Sequence, residues 1–314
     1  MAVYTDVSFE ELEEFLSGYD VGRPLSFKGI AEGVENSNFF LRTDSGAFIL
    51  TLYEKRVRET DLPFFLGLMD HLASRGIACP LPLKRRDGTQ WAELNGRPAT
   101  LLTYLNGVSL RHPAPEHCAA VGAKLAALHE AGADFALYRP NALSVDGWRE
   151  MAAALIPRAD EVEAGLGALI ETTLENLHWP HPLPSGVIHA DLFPDNVLFV
   201  DGKVSGLIDF YFACNDAFAY DLAVMLNAWC FDDTGRYDTA RGAALLGGYR
   251  ELSPTERDAL PVLARGAALR FLLTRLHDVL HRDPQALVRP KDPRDFARRL
   301  RFHLGVRRAS DYGL

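Results

Sequence analysis

Apolar and polar positions change their period about a third of the way along the chain, and the change divides it into two regions. In the first, Ser8 and Glu11 have the spacing of a capping box that opens a short amphipathic helix running to about Ser17. Residues 38–42 and 47–53 alternate or run apolar on either side of Asp44-Ser45-Gly46, which predicts a hairpin. A helix follows over 61–74, with Phe64, Phe65, Leu68, Met69 and Leu72 on one stripe and Gly76 just past its end. A short strand near Pro80, a second hairpin turning at Asn95-Gly96 and the apolar run 99–105 complete the region. Asn106-Gly107 reads as a hinge.

Beyond the hinge the spacing turns helical over 115–131, 148–154, 161–177, 218–231 and 239–251. Ser253-Pro254-Thr255-Glu256 is a further capping box, with proline at the first helical position, where a missing N–H costs nothing. A proline-rich polar loop over 179–185 leads into the apolar segment at Val187. The pattern predicts an α+β chain of two lobes, an antiparallel-sheet lobe over 1–105 and a larger, mostly helical lobe over 106–314.

Composition narrows the class. A chain of 314 residues with 48% apolar content is long enough for two cores. No run of 18 apolar residues occurs, so no membrane span is expected, and the acidic opening MAVYTDVSFEELEEF does not read as a signal peptide. Cys79, Cys118, Cys214 and Cys230 show no C-x-x-C spacing and read as reduced thiols of a cytoplasmic protein. A net charge of −9 argues against a nucleic-acid partner.

The chemistry is concentrated in VIHADLFPDN, residues 187–196, followed by Ile208-Asp209-Phe210. Asp191 and Asn196 stand five positions apart, and Asp209 lies eighteen beyond Asp191. Phosphoryl transfer needs a carboxylate beside the attacking hydroxyl and metal ions against the phosphate oxygens. Asp191 suits the first role, and Asn196 and Asp209 suit Mg2+, which prefers hard oxygen ligands. Between them, Asp201-Gly202 predicts a two-residue hairpin turn pairing Val200 with Lys203 and Asn196 with Leu207. Asp209 would then lie two residues past the partner of Asn196, roughly 7 Å along the strand.

These motifs resemble the aminoglycoside-phosphotransferase and choline-kinase superfamily, which has a protein-kinase-like fold. The stretches at 29–43, 48–56, 62–72, 187–199, 207–216, 220–231 and 270–278 resemble, within it, bacterial homoserine kinases. The resemblance implies ATP-dependent phosphorylation of the L-homoserine hydroxyl, on the route to threonine, with ATP and Mg2+ required. It makes Asp191 the catalytic base, Asn196 and Asp209 the metal ligands, and His189 and Asp221 structural supports of the loop. Thr51 stands where many relatives carry a strand lysine, so another cation or the magnesium takes more of that role. The turn holding Gly29, Gly33, Asn36, Ser37 and Asn38 is expected over the phosphates, and Thr103, Tyr104 and Leu105 at the adenine. Arg270 and Arg275 are candidates for the acceptor carboxylate, which a guanidinium can bind with both N–H arms, or else form salt bridges. Tyr211, Asn215, Asp216, Asn227 and Trp229 are candidates for the acceptor pocket or for caps and core packing. A kinase of the same fold acting on choline, methylthioribose or an aminoglycoside is the alternative; Tyr220 and Trp229 leave room for an aromatic cage around choline. A catalytically idle nucleotide-binding regulator is the outsider.

Overall fold

A computed structural model describes residues 5–30, 36–54, 57–180, 182–282 and 290–314. The chain divides into two compact units, one ending at Asn106 and the other beginning at Gly107.

In the first unit, helix α1 (Phe9–Leu16) is followed by strands β1 (Pro24–Gly29), β2 (Ser37–Thr43) and β3 (Ala47–Leu52), helix α2 (Leu62–Ser74), and strands β4 (Ala92–Leu94) and β5 (Arg97–Thr103). The strands form one antiparallel sheet in the order β1-β2-β3-β5-β4. Alternation sends Phe39, Leu41, Leu50, Leu52, Ala99 and Leu101 to one face, where they bury Leu12, Phe15 and Leu16 of α1. Each fully buried leucine there contributes about 1.5–3 kcal/mol. The capping box at α1 forms: Ser8 N donates to Glu11 Oε2 at 2.7 Å, and Glu11 N to Ser8 Oγ at 3.3 Å. The Asn95-Gly96 turn takes positive φ at both residues, 51° and 70°. The strand expected near Pro80 is reduced to an isolated bridge between Pro82 and Leu102. Prolines at 80 and 82 have no N–H to give to a ladder, so only Leu81 and Leu83 exchange bonds with β5.

The second unit contains helices α3 (Pro115–Ala131), α4 (Val145–Ala159) and α5 (Leu166–Glu175), then strands β6 (Ser185–Ile188), β7 (Val197–Val200), β8 (Lys203–Leu207) and β9 (Cys214–Ala217). Helices α6 (Phe218–Trp229), α7 (Thr239–Gly248), α8 (Pro254–Leu280) and α9 (Arg294–Gly305) follow. Gly165, with φ of 80°, stops α5 from starting at 161. Helix α7 ends at Gly248 rather than 251; a Cβ there would lie 2.1 Å from Ala119 O, so glycine allows α3 and α7 to approach backbone to backbone. Helix α6 is buried nearly all round, which is why its apolar pattern shows little periodicity. All four cysteines are buried free thiols. No helix among the described residues is long and apolar enough to cross a membrane.

Candidate active site

Strand β6 ends at Ile188 and delivers the chain into the loop 189–196, which closes with a 3-10 turn at Pro194–Asn196. The β7–β8 hairpin follows, turning at Asp201-Gly202 with φ of 50° and 73°. Its register differs from the simple count. Val200 pairs with Lys203 and Phe199 with Val204, but Leu198 pairs with Gly206 and Val197 with Leu207. Ser205 is the extra residue of a bulge, so Leu207 lies opposite Val197 and not Asn196. Ile208 N instead donates to Asn196 O at 3.0 Å, and Asp209 follows one residue later. The two oxygen donors leave the same end of the hairpin, a residue closer than regular pairing would place them.

Asp191 sits in a largely buried position that retains 18% side-chain exposure. Burial pushes its carboxyl up to about 8, against the lowering pull of Arg270, with the charges of Asp209 and Asp195 raising it further. Asn196 Nδ2 donates to Asp191 O at 2.7 Å and to Asp191 Oδ2 at 3.1 Å. With its NH2 spent on Asp191, the Asn196 amide has its oxygen left to coordinate a cation. Asp209, at φ of 65°, opens the 3-10 turn Phe210–Phe212. An amide oxygen and a carboxylate are hard donors, and two protein ligands suffice for Mg2+ when waters and phosphates complete its octahedron. The residues fit that ion.

The loop is braced from behind. His189, fully buried, accepts from Asp191 N at Nδ1 (3.3 Å) and donates from Nε2 to Ile208 O (3.0 Å). A peptide N–H can only donate and a carbonyl can only accept, so these partners fix the tautomer of a neutral ring. Burial holds its pKa below the ordinary histidine value. Asp221, on α6 and fully buried, accepts from the amides of His189 and Ala190, each at 2.8 Å, and from His129 Nε2 at 3.1 Å. Burial alone would raise the Asp221 pKa, yet the bond and attraction from His129 and the bond from the His189 amide hold it below the usual carboxylate value. Trp229 Nε1 donates to Leu192 O at 2.8 Å. Of these braces, sequence reasoning missed His129; a histidine inside the apolar run LAALHEA of α3 was the available signal.

Arg270, on α8 and 2% exposed, donates from Nη1 to Ala190 O, and its Nη2 lies 4.0 Å from Asp191 Oδ1. Arg275 donates to Asp292 O at 3.2 Å and to Asp295 Oδ2 at 3.4 Å. Tyr211 lies in the 3-10 turn after Asp209. Asn215 and Asp216, in β9, line a cavity of about 410 Å³ with Tyr138, Leu183 and Gly186. Asn215 Oδ1 accepts from Arg139 N (2.9 Å) and Asp216 Oδ2 from Asn141 Nδ2 (2.8 Å). Asn227, Trp229 and Tyr220 are fully buried; Asn227 Nδ2 donates to Ala223 O and Ala264 O.

In the first unit, Gly29 ends β1 opposite Phe39, while Gly33 lies outside the described residues. Asn36 and Ser37 are buried: Asn36 Oδ1 accepts from Glu54 N at 3.3 Å, and Ser37 Oγ donates to Glu54 Oε1 at 2.7 Å. Thr51 Oγ1 donates to Asn38 Oδ1 across the β2–β3 pair at 2.7 Å. Thr103 Oγ1 accepts from Leu81 N at 2.9 Å, and Tyr104 N donates to Ala47 O at 3.3 Å. Leu105 follows the end of β5.

Comparison with known proteins gives this geometry a context. A model described as the phosphotransferase enzyme family matches residues 26–255. The homoserine kinase of Xanthobacter autotrophicus is 60% identical over 100% of this chain and 99% of its own, and that of Mesorhizobium japonicum is 57% identical over the full length of both. Among solved structures, a spectinomycin phosphotransferase in complex with ADP and spectinomycin superposes with a TM-score of 0.70 at 14% identity, covering 98% of each chain. A microcompartment-associated aminopropanol kinase does so at 0.65 and 18% identity, covering 95% of each. At these identities the structures speak for the fold alone.

Proposed function

Because the chain belongs to the phosphotransferase enzyme family, we propose that it transfers the γ-phosphoryl group of ATP to the side-chain hydroxyl of L-homoserine, giving O-phospho-L-homoserine on the route to threonine. The observation that carries the acceptor is the 60% identity to a homoserine kinase across the whole of both chains.

Asp191 orients the homoserine hydroxyl and accepts its proton as the oxygen attacks phosphorus. Burial and the charges of Asp209 and Asp195 raise its pKa, and a cation held by Asn196 and Asp209 would offset those charges and favour the carboxylate form that accepts the proton. Asn196 and Asp209 hold Mg2+, which when bound neutralises charge gathering on the phosphate oxygens. Asn196 also fixes the Asp191 carboxylate through its amide, so one side chain joins base and metal. Arg275 would have to exchange its ion pair with Asp295 to bind the acceptor carboxylate, and Tyr211, Asn215 and Asp216 are the further acceptor contacts of the proposal. Gly29, Asn36, Ser37, Asn38, Thr51, Thr103, Tyr104 and Leu105 are the nucleotide contacts of the same proposal. The side chains of Asn36, Ser37 and Asn38 are committed to Glu54 and Thr51. A choline reading requires an aromatic cage open to solvent, and Tyr220 and Trp229 are buried in the core.

A coupled ADP-release assay with Mg2+ and ATP across L-homoserine, choline, methylthioribose and kanamycin tests the assignment. Saturable turnover with homoserine alone is expected; faster turnover with another acceptor overturns the substrate and leaves the phosphoryl-transfer chemistry standing.

A further inference from the structure

Ala190, immediately before the base, has φ of 62°. A side chain with a Cβ avoids this left-handed conformation, which crowds Cβ against the carbonyl oxygen. Two buried groups of opposite charge hold it there. Asp221 Oδ1 accepts from its N–H at 2.8 Å, and Arg270 Nη1 donates to its C=O. The arginine comes from α8, eighty residues further along the chain, and its position is itself fixed. Its guanidinium carbon lies 4.4 Å from the ring centroid of Phe271 and 5.3 Å from that of Phe212, and Nη2 lies 4.0 Å from Asp191 Oδ1. Its Nε, fully buried, meets no hydrogen-bond partner among the described residues. A buried cation with an unspent donor is a poor stabiliser of a fold, so its presence at this carbonyl calls for another reason.

We propose that Arg270 is a positioning residue: with Asp221 it clamps the Ala190 peptide unit in the left-handed conformation that aims the Asp191 carboxylate at the acceptor hydroxyl. The inference rests on the reading of Asp191 as the base and is independent of which alcohol is phosphorylated. It differs from a role in binding the acceptor carboxylate, because the guanidinium is turned to the loop backbone and lies over the rings of Phe271 and Phe212.

The test is steady-state kinetics on the full chain with the acceptor that the wild type phosphorylates. R270Q should lower kcat about 100-fold, the scale of a misplaced catalytic group, and change both KM values less than about threefold. R270K, which can still reach the Ala190 carbonyl, should recover part of that loss. R270Q combined with A190G should turn over about tenfold faster than R270Q alone, because glycine adopts positive φ without the constraint that a Cβ needs. A rise of tenfold or more in the acceptor KM with kcat preserved would show that Arg270 binds the acceptor and would overturn the proposal. So would an A190G double variant no faster than its parent. Should R270Q fail to fold, the pair R270K and R270K/A190G reads the same recovery. A wrong acceptor shows in the wild type, whereas a wrong clamp shows only in the variants; a wild type idle with every acceptor overturns both.

Discussion

At the scale of single residues, the site concentrates negative charge where burial penalises it. Without a bound cation, burial holds the Asp191 pKa up to about 8 in the folded chain, whereas an unfolded aspartate ionises near 4. Because the folded pKa is raised, the protonated carboxyl's contribution to stability is full below pH 4 and is lost as pH rises through 8. D191N should therefore lower turnover by about 10²–10⁴-fold while raising Tm at pH 8, with the gain shrinking toward pH 4. Equal Tm values at both pH values, by differential scanning fluorimetry without nucleotide, would contradict this account of the charge. Asp221 has the opposite sign. Its pKa is lowered on folding, so its contribution holds at neutral pH and is lost as pH falls through the folded value. D221A leaves two buried amides and His129 without an acceptor and should cost about 3–5 kcal/mol in urea unfolding at pH 7. The placing of Asp191 and Asn196 on one loop, with Asp209 just past the hairpin, was legible in the sequence because the Asp201-Gly202 turn fixes where the strands fold back. Arg270 drew attention as a charge on an apolar helix, but its meeting with Ala190 was not legible, since nothing local encodes a contact eighty residues away. His129 was hidden for the same reason, its acceptor lying on another helix.

At the scale of elements, the β7–β8 hairpin carries the site and depends on one irregularity. Asp201-Gly202 announced the turn, because few dipeptides accept positive φ at both positions. The bulge at Ser205 was invisible, since an alternating pattern does not reveal an extra residue within a strand. Deleting Ser205 should restore regular pairing and displace Asp209 by roughly 3.4 Å relative to Asn196. The Mg2+ concentration giving half-maximal turnover should then rise at least tenfold with far-UV circular dichroism unchanged; an unaltered requirement would mean that the bulge does not set the metal site. Gly107 supports the same hairpin. Its φ is 143°, and a Cβ would come within 2.6 Å of Ser205 Oγ and 2.9 Å of Leu198 Cβ. G107A should destabilise the chain by about 1–3 kcal/mol, read as a lower urea midpoint. The sequence suggested a hinge at this glycine; its neighbours show it making room for the hairpin. The strand that failed at Pro80 and helix α9, which the pattern did not suggest, show the other side of legibility. Prolines break a ladder that hydropathy alone suggests, and a helix rich in arginine hides its buried stripe of Phe296, Ala297 and Leu300.

At the scale of the whole molecule, the chain divides into two compact units at Asn106 and Gly107, and each unit has its own hydrophobic interior. On the proposed reading, magnesium links the site to the behaviour of the full chain. ATP should raise Tm in the presence of Mg2+, and an excess of EDTA should remove most of that rise and all turnover. A nucleotide shift that survives chelation would place the metal outside the binding step. The most direct measurement of the central claim is 31P nuclear magnetic resonance of the products formed from ATP, Mg2+ and L-homoserine. The account predicts a phosphate monoester whose phosphorus couples to the terminal methylene protons of homoserine, absent with D191N. Phosphate on the homoserine carboxylate, or inorganic phosphate alone, would contradict it.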